Sequence, residues 1–186
     1  LFNKDMTRLI LCSKEKSGSY KIPPTVKAID GDAFASCKKL TEMTIPESIT
    51  EIWDSAFCYC KCLKSVVIPN SVISIGRGAF EKCCALTKIT IPESVVSIGD
   101  FAFRSCGLTE VTIPNSVVYI GYSAFGFCSH LARITIPDSV AYIGSSAFKQ
   151  CCTLNNVTLP NTIAAIEEES FDECYKLTEI TIPSSV

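Results

Sequence analysis

An Ile-Pro pair returns along this chain at nearly constant intervals: Ile22-Pro23, Ile45-Pro46, Ile68-Pro69, Ile91-Pro92, Ile113-Pro114, Ile136-Pro137 and Ile182-Pro183, with Leu159-Pro160 as the single variant. Successive prolines stand 23, 23, 23, 22, 23, 23 and 23 residues apart. A unit this short cannot bury a hydrophobic face alone, so it must stack on its neighbours. The chain therefore reads as a repeat solenoid over residues 22–186, with about seven units.

Each unit resolves into columns. A leucine opens it (Leu40, Leu63, Leu86, Leu108, Leu131, Leu154, Leu177). Three residues on stands Met43, Val66, Ile89, Val111, Ile134, Val157 or Ile180, and two further on the residue before proline. A step of two with β-branched residues predicts a strand with these side chains inward. Thr44, Val67, Thr90, Thr112, Thr135, Thr158 and Thr181 lie between them and face outward. Proline ends the strand because it donates no ladder hydrogen bond. A small hydroxyl follows (Ser48, Ser71, Ser94, Ser116, Ser139, Thr162, Ser185), suited to satisfying turn backbone in its own or the next coil. An inward isoleucine comes next, followed in four units by glycine: Gly76, Gly99, Gly121 and Gly144.

The segment after it, as in Ala79-Phe80-Glu81-Lys82-Cys83-Cys84-Ala85-Leu86, spaces its apolar residues for one or two turns of helix with one face buried. Glycine in the shortened Cys106-Gly107-Leu108 is expected to end that helix in a left-handed conformation. Parallel strands on one side and wider helices on the other predict a curved α/β solenoid with strands on the inner face. Phe34, Phe57, Phe80, Phe103, Phe125, Phe148 and Phe171 should form a single core column.

Residues 1–21 lie outside the pattern. Leu9-Ile10-Leu11-Cys12 reads as a short strand, Ser13–Ser19 as a polar turn, and Tyr20-Lys21-Ile22 as a returning strand. This predicts a capping hairpin over the first repeat. The chain opens on Leu1 and stops at Val186 within a unit, so both ends are expected to be cuts through a longer protein.

The repeat L-x-x-I-x-I-P followed by x-S-V-x-x-I-G-x-x-A-F-x-x-C resembles the BspA-type class of leucine-rich repeats, over about nine-tenths of the chain. That resemblance implies a right-handed leucine-rich-repeat horseshoe, with a parallel sheet on the concave face and short helices on the convex face. It also implies a place in surface proteins of bacteria and some protists, associated with adhesion and with binding host or matrix proteins.

Chemistry for catalysis is sparse. The one histidine, His130, falls in a turn, Glu167-Glu168-Glu169 reads as a solvated run, and there is no glycine-rich phosphate loop. The chain is read as non-enzymatic and as needing no cofactor. Of its 12 cysteines, Cys37, Cys60, Cys83, Cys106, Cys128, Cys151 and Cys174 share a column and are expected to act as small buried hydrophobes. Cys12, Cys58, Cys62, Cys84 and Cys152 lie off it. Cys58-x-Cys60-x-Cys62 lacks the usual zinc spacing, so no metal site is expected. So many thiols suit a reducing or anaerobic setting. Asn156-Val157-Thr158 is the one glycosylation sequon.

A formal charge of −2 gives no electrostatic footprint for nucleic acid. No apolar run is long enough for a membrane helix. The binding candidate is the variable outward column Glu42, Ser65, Lys88, Glu110, Arg133, Asn156 and Glu179 on the concave face, in a constant repeat frame. A second candidate is an aromatic patch of Tyr119, Tyr122, Phe127 and Tyr142. The expected function is a cell-surface or secreted interaction module holding a protein or glycan. An intracellular scaffold or a structural spacer are the alternatives.

Overall fold

The computed structural model describes all of residues 1–186, and thirteen short strands build it. One parallel sheet contains β2 (Ser17–Lys21), β4 (Lys39–Thr44) and β6 (Ser65–Val67), and it continues after a break as β9 (Glu110–Thr112), β11 (Arg133–Thr135) and β13 (Asn156–Thr158). A second, past the prolines, stacks β5 (Glu51–Ile52), β7 (Ser74–Ile75), β8 (Ser97–Ile98), β10 (Tyr119–Ile120) and β12 (Tyr142–Ile143) in order. Partners are equivalent residues of adjacent coils, as in Arg133↔Glu110 and Arg133↔Asn156. Parallel pairing at repeat register is what a solenoid requires, and the chain is one.

The predicted helices are absent. Between the second sheet and the next leucine, each coil instead makes consecutive tight turns. Two columns in this segment are left-handed in all seven coils. One is Asp32, Ser55, Gly78, Phe101, Ser123, Ser146 and Glu169, and the other is Ser36, Tyr59, Lys82, Ser105, Phe127, Gln150 and Glu173, with φ between 49° and 63°. An α-helix keeps every amide inside the segment. Here alternate amides leave it: Gly78 N, Phe80 N and Lys82 N each donate to the next coil, at Asp100 O, Ala102 O and Arg104 O, all 2.8 Å. The intervening ones close turns, as in Glu81 N to Gly78 O at 3.0 Å and Cys83 N to Phe80 O at 3.1 Å. The apolar spacing that suggested a helix is equally met by this turn series. Without helices, the width mismatch that predicted a horseshoe is missing too.

The N-terminal segment also differs from the expected hairpin. β1 (Arg8–Leu9) pairs in parallel with β3 (Ala28–Ile29), and β2 pairs in parallel with β4. Leu9 and Tyr20 thus sit in different sheets, and the segment winds as one more, irregular coil. Leu9 is buried, and Phe2, Cys12 and Tyr20 pack against the same core.

Inside, equivalent side chains pile up. The seven phenylalanines form one stack with ring centroids 5.1–5.6 Å apart and planes within 15° of parallel. Their spacing is that of the coils, so the aromatic column and the backbone ladders report one repeat distance. Hydroxyls cross between coils as expected: Ser71, Ser94 and Ser116 each donate to a carbonyl of the preceding coil at 2.6 Å. Ser139 Oγ, also in this column, is buried without a partner. The glycine column, by contrast, serves close approach and not positive φ. A Cβ on Gly144 would stand 2.6 Å from Tyr122 N.

The cysteine column does more than fill space. Cys60, Cys83, Cys106, Cys128, Cys151 and Cys174 point their Sγ atoms at the carbonyl of the preceding coil's core phenylalanine, at 3.0–3.3 Å. Each of these carbonyls already accepts a turn amide of its own coil, as Phe80 O does from Cys83 N at 3.1 Å, and the thiol of the next coil adds a second donor to its other lone pair. Desolvation pushes the thiols up, Cys60 and Cys128 to about 12 and Cys174 to about 11.

Two predictions follow from this packing. Phe80→Ala should lower unfolding free energy by about 3–5 kcal/mol in urea titrations, while outward-facing Thr112→Ala should stay within about 0.5 kcal/mol of the parent. The raised thiols favour the neutral form in the folded state, whereas unfolded cysteines ionise near pH 8.5. Stability should therefore be flat with respect to these groups below about pH 8.5 and fall as pH climbs toward 12. Urea midpoints at several pH values test this, and Cys106→Ala should show a shallower decline; an identical decline removes the thiols as its cause.

Candidate functional site

The outward column of the first sheet lies where the alternation placed it. Glu42, Ser65, Lys88, Glu110, Arg133, Asn156 and Glu179 are all exposed, while their neighbours Met43, Val66, Val111 and Ile134 enter the core. Ladder register sets Glu42 beside Ser65, and Glu110, Arg133 and Asn156 in a row. Lys88 Nζ reaches Glu110 Oε1 at 3.2 Å, with both side chains more than half exposed. Such a pair adds little stability, so it leaves both groups available to a partner. The outward Thr row flanks them, with Val67 replacing threonine at 59% exposure.

The sheet is interrupted at its middle. Residues 87–91 form no strand, and none of their amides donates to a main-chain carbonyl. A hollow of about 380 Å³ opens there, lined by Ser65, Val66, Lys88, Ile89, Thr90, Glu110 and Thr112. The neighbouring coil is the one that lacks a residue. Gly107 has no positive φ, so it is not the left-handed cap the sequence suggested. Instead its backbone is pressed onto the preceding coil, and an added Cβ would stand 2.2 Å from Cys84 O. The shortened turn lies one coil beyond the point where the ladder lapses. Repeat counting found the deletion but gave no sign of the opening beside it.

The aromatic patch does not form as one surface. Tyr119 and Tyr142 do stack, with centroids 5.2 Å apart and planes 10° from parallel, and are 39% and 41% exposed. Exposed Val96 and Val118 lie in the adjoining column of the second sheet. Tyr122 instead meets Phe101 edge-on at 5.1 Å, and Phe127 lies under the Arg104 guanidinium at 4.6 Å, both in the turn segment. Phe101 and Arg104 were missed because a single aromatic or cation in an otherwise variable column carries no periodic signal.

Other residues singled out by the sequence stay apart. Cys60 is buried while Cys62 is exposed, and no three His, Cys, Asp or Glu side chains converge in metal-binding geometry. His130 is an exposed turn residue. Glu169 is drawn out of the solvated run by Lys149, whose Nζ lies 2.9 Å away and lowers its pKa.

The close approach at the short coil can be checked directly. Gly107→Ala drives a methyl against fixed backbone and should destabilise by about 1–3 kcal/mol. Gly126→Ala, whose added Cβ meets the rotatable Ser123 hydroxyl at the same 2.2 Å, should cost less. Thermal unfolding of the two variants decides the ranking.

A family model for the BspA type leucine rich repeat region matches this chain in 6 copies, over residues 11–129 and 96–186. Among solved structures, a leucine-rich repeat protein from Bacteroides ovatus is 35% identical, with a TM-score of 0.87 over 91% of this chain and 49% of its own. The T. pallidum leucine rich repeat protein is 28% identical, with a TM-score of 0.82 over 96% of this chain and 86% of its own. One from Eubacterium ventriosum is 27% identical, with a TM-score of 0.62 over 100% and 44% of the two chains. This chain thus spans about half the length of the B. ovatus protein. No curated protein sequence matches it. With copies of the family repeat covering nearly its whole length and the same solenoid in its solved relatives, the chain belongs to the BspA-type leucine-rich repeat family.

Proposed function

We propose that this chain is the interaction module of a surface or secreted adhesin-like protein, and that it holds a host or matrix protein or a glycan across the face of its first sheet. The observation that carries this reading is the contrast between two adjacent columns. Threonine is kept in six of seven coils, while the exposed residue two positions before it runs Glu42, Ser65, Lys88, Glu110, Arg133, Asn156, Glu179. A constant frame with a changing exposed column is how a solenoid presents an extended site. Mixed charge along it favours polar recognition, and the hollow between Ser65 and Glu110 lies within it.

A second reading, an intracellular scaffold, draws on the cysteines: the column thiols all serve as hydrogen-bond donors in reduced form, and Cys62 and Cys84 are exposed. The stacked Tyr119–Tyr142 pair is a subsidiary contact under either reading.

Two measurements test the proposal. A membrane-impermeant biotinylating reagent applied to intact cells should label the full-length protein; complete protection would sink the surface assignment and leave the scaffold. In binding to an immobilised extracellular-matrix preparation, Lys88→Glu/Arg133→Glu should weaken retention about tenfold. Undiminished binding by that variant would move the contact off this face.

A further inference from the structure

We infer that the turn segment carries a second site, independent of the first sheet, that takes the carboxylate side chains of an acidic polypeptide. Ser55, Arg77, Gly78, Glu81, Phe101 and Arg104, from three successive coils, line a hollow of about 350 Å³. Its floor exists because of one substitution in the repeat. The left-handed column that carries Asp32, Ser55, Phe101, Ser123, Ser146 and Glu169 elsewhere has glycine at 78, so that coil contributes no side chain. An added Cβ there would meet only ordinary contacts, 3.6 Å from Ser55 Oγ and 3.7 Å from Glu81 Oε2.

Two guanidiniums are set around this space by aromatic rings. Arg77 Cζ lies 5.4 Å and Arg104 Cζ 5.6 Å from the Phe101 centroid, and Arg104 also covers Phe127 at 4.6 Å. Phe101 and Phe127 hold φ of 58° and 63°, a conformation unfavourable for bulky side chains. Arg104 Nε is buried with no acceptor. The left-handed backbone is common to every coil, so what sets this site apart is its side chains: two rings lying under guanidiniums and a buried donor left without an acceptor.

Charge at the site is not balanced internally. Glu81 Oε1 accepts from Arg104 Nη1 at 3.2 Å and lies 4.0 Å from Lys82 Nζ. Arg77 pairs with no carboxylate side chain through its guanidinium. Asp54 and Asp100, which share its column in the coils on either side, accept instead from the Arg77 and Tyr122 backbone amides, each at 2.8 Å. An exposed, unpaired guanidinium fixed against a ring presents a planar fork of donors, which fits a carboxylate better than a point cation does. Cations already lie over Phe101 and Phe127, and Tyr122 packs edge-on to Phe101. The rings are therefore engaged in orienting arginine, and the apolar face a sugar would stack on is taken. This favours a peptide carboxylate over a uronate polymer.

Fluorescence anisotropy with fluorescein-labelled hexaglutamate tests the site at low ionic strength, with polygalacturonate as competitor. The parent should bind saturably. Arg77→Gln, on an exposed side chain, and Gly78→Asn, which fills the floor at a φ that asparagine tolerates, should each weaken binding about tenfold with unchanged melting temperature. Arg77→Lys should recover only part of the loss, and the remote Lys38→Gln should bind as the parent does. Absent binding, equal loss in Lys38→Gln, full recovery by Arg77→Lys, or tighter capture of polygalacturonate would each overturn the assignment. Should Gly78→Asn fail to fold, the three surface variants still decide it.

Discussion

One distance governs this protein: the roughly 5 Å step from coil to coil. Main-chain hydrogen bonds set it in both sheets. The phenylalanine rings, the Ser-to-carbonyl bonds and the thiol-to-carbonyl bonds all have to span the same gap. A side chain that fits in one coil fits in all of them, which is why the columns are so uniform. A departure from that uniformity requires the neighbouring coils to adjust, as at the Cys84–Gly107 contact.

That same step explains why helices are replaced by turns. A helix satisfies its own amides and has no use for a neighbour 5 Å away. Alternate amides pointing out of the segment extend the ladder around the whole coil. The required left-handed residues are not glycine except at position 78, although such φ values are uncommon for other types. Cooperation between coils evidently offsets the local cost, and backbone bonds such as Phe103 N to Ala124 O at 2.8 Å are the compensation.

The legible parts of the sequence were those that repeat. Ile-Pro spacing gave the solenoid, two-residue alternation gave the buried and exposed columns, and the phenylalanine column was visible before any geometry. Helix periodicity failed because Ala, Phe, Cys and Leu at steps of one, three and three fit either a helix or stacked turns. The N-terminal coil was misread because its strands pair forward into the array, and a hairpin and an irregular repeat share the same apolar-turn-apolar pattern. At the candidate site, exposure of the variable column was legible from alternation. The hollow beside Lys88 and the Arg77–Phe101–Arg104 cluster were not, since both arise from how single departures in adjacent coils meet in space.

An array of interchangeable units has translational symmetry, and a ligand meeting it would find several equivalent places to settle. The 22-residue unit breaks that symmetry once. Everything before Gly107 and everything after it is offset in phase, and the lapse in the sheet beside it gives the molecule a unique address. Among the units of residues 22–186, a partner that recognises this junction has a single register in which to dock.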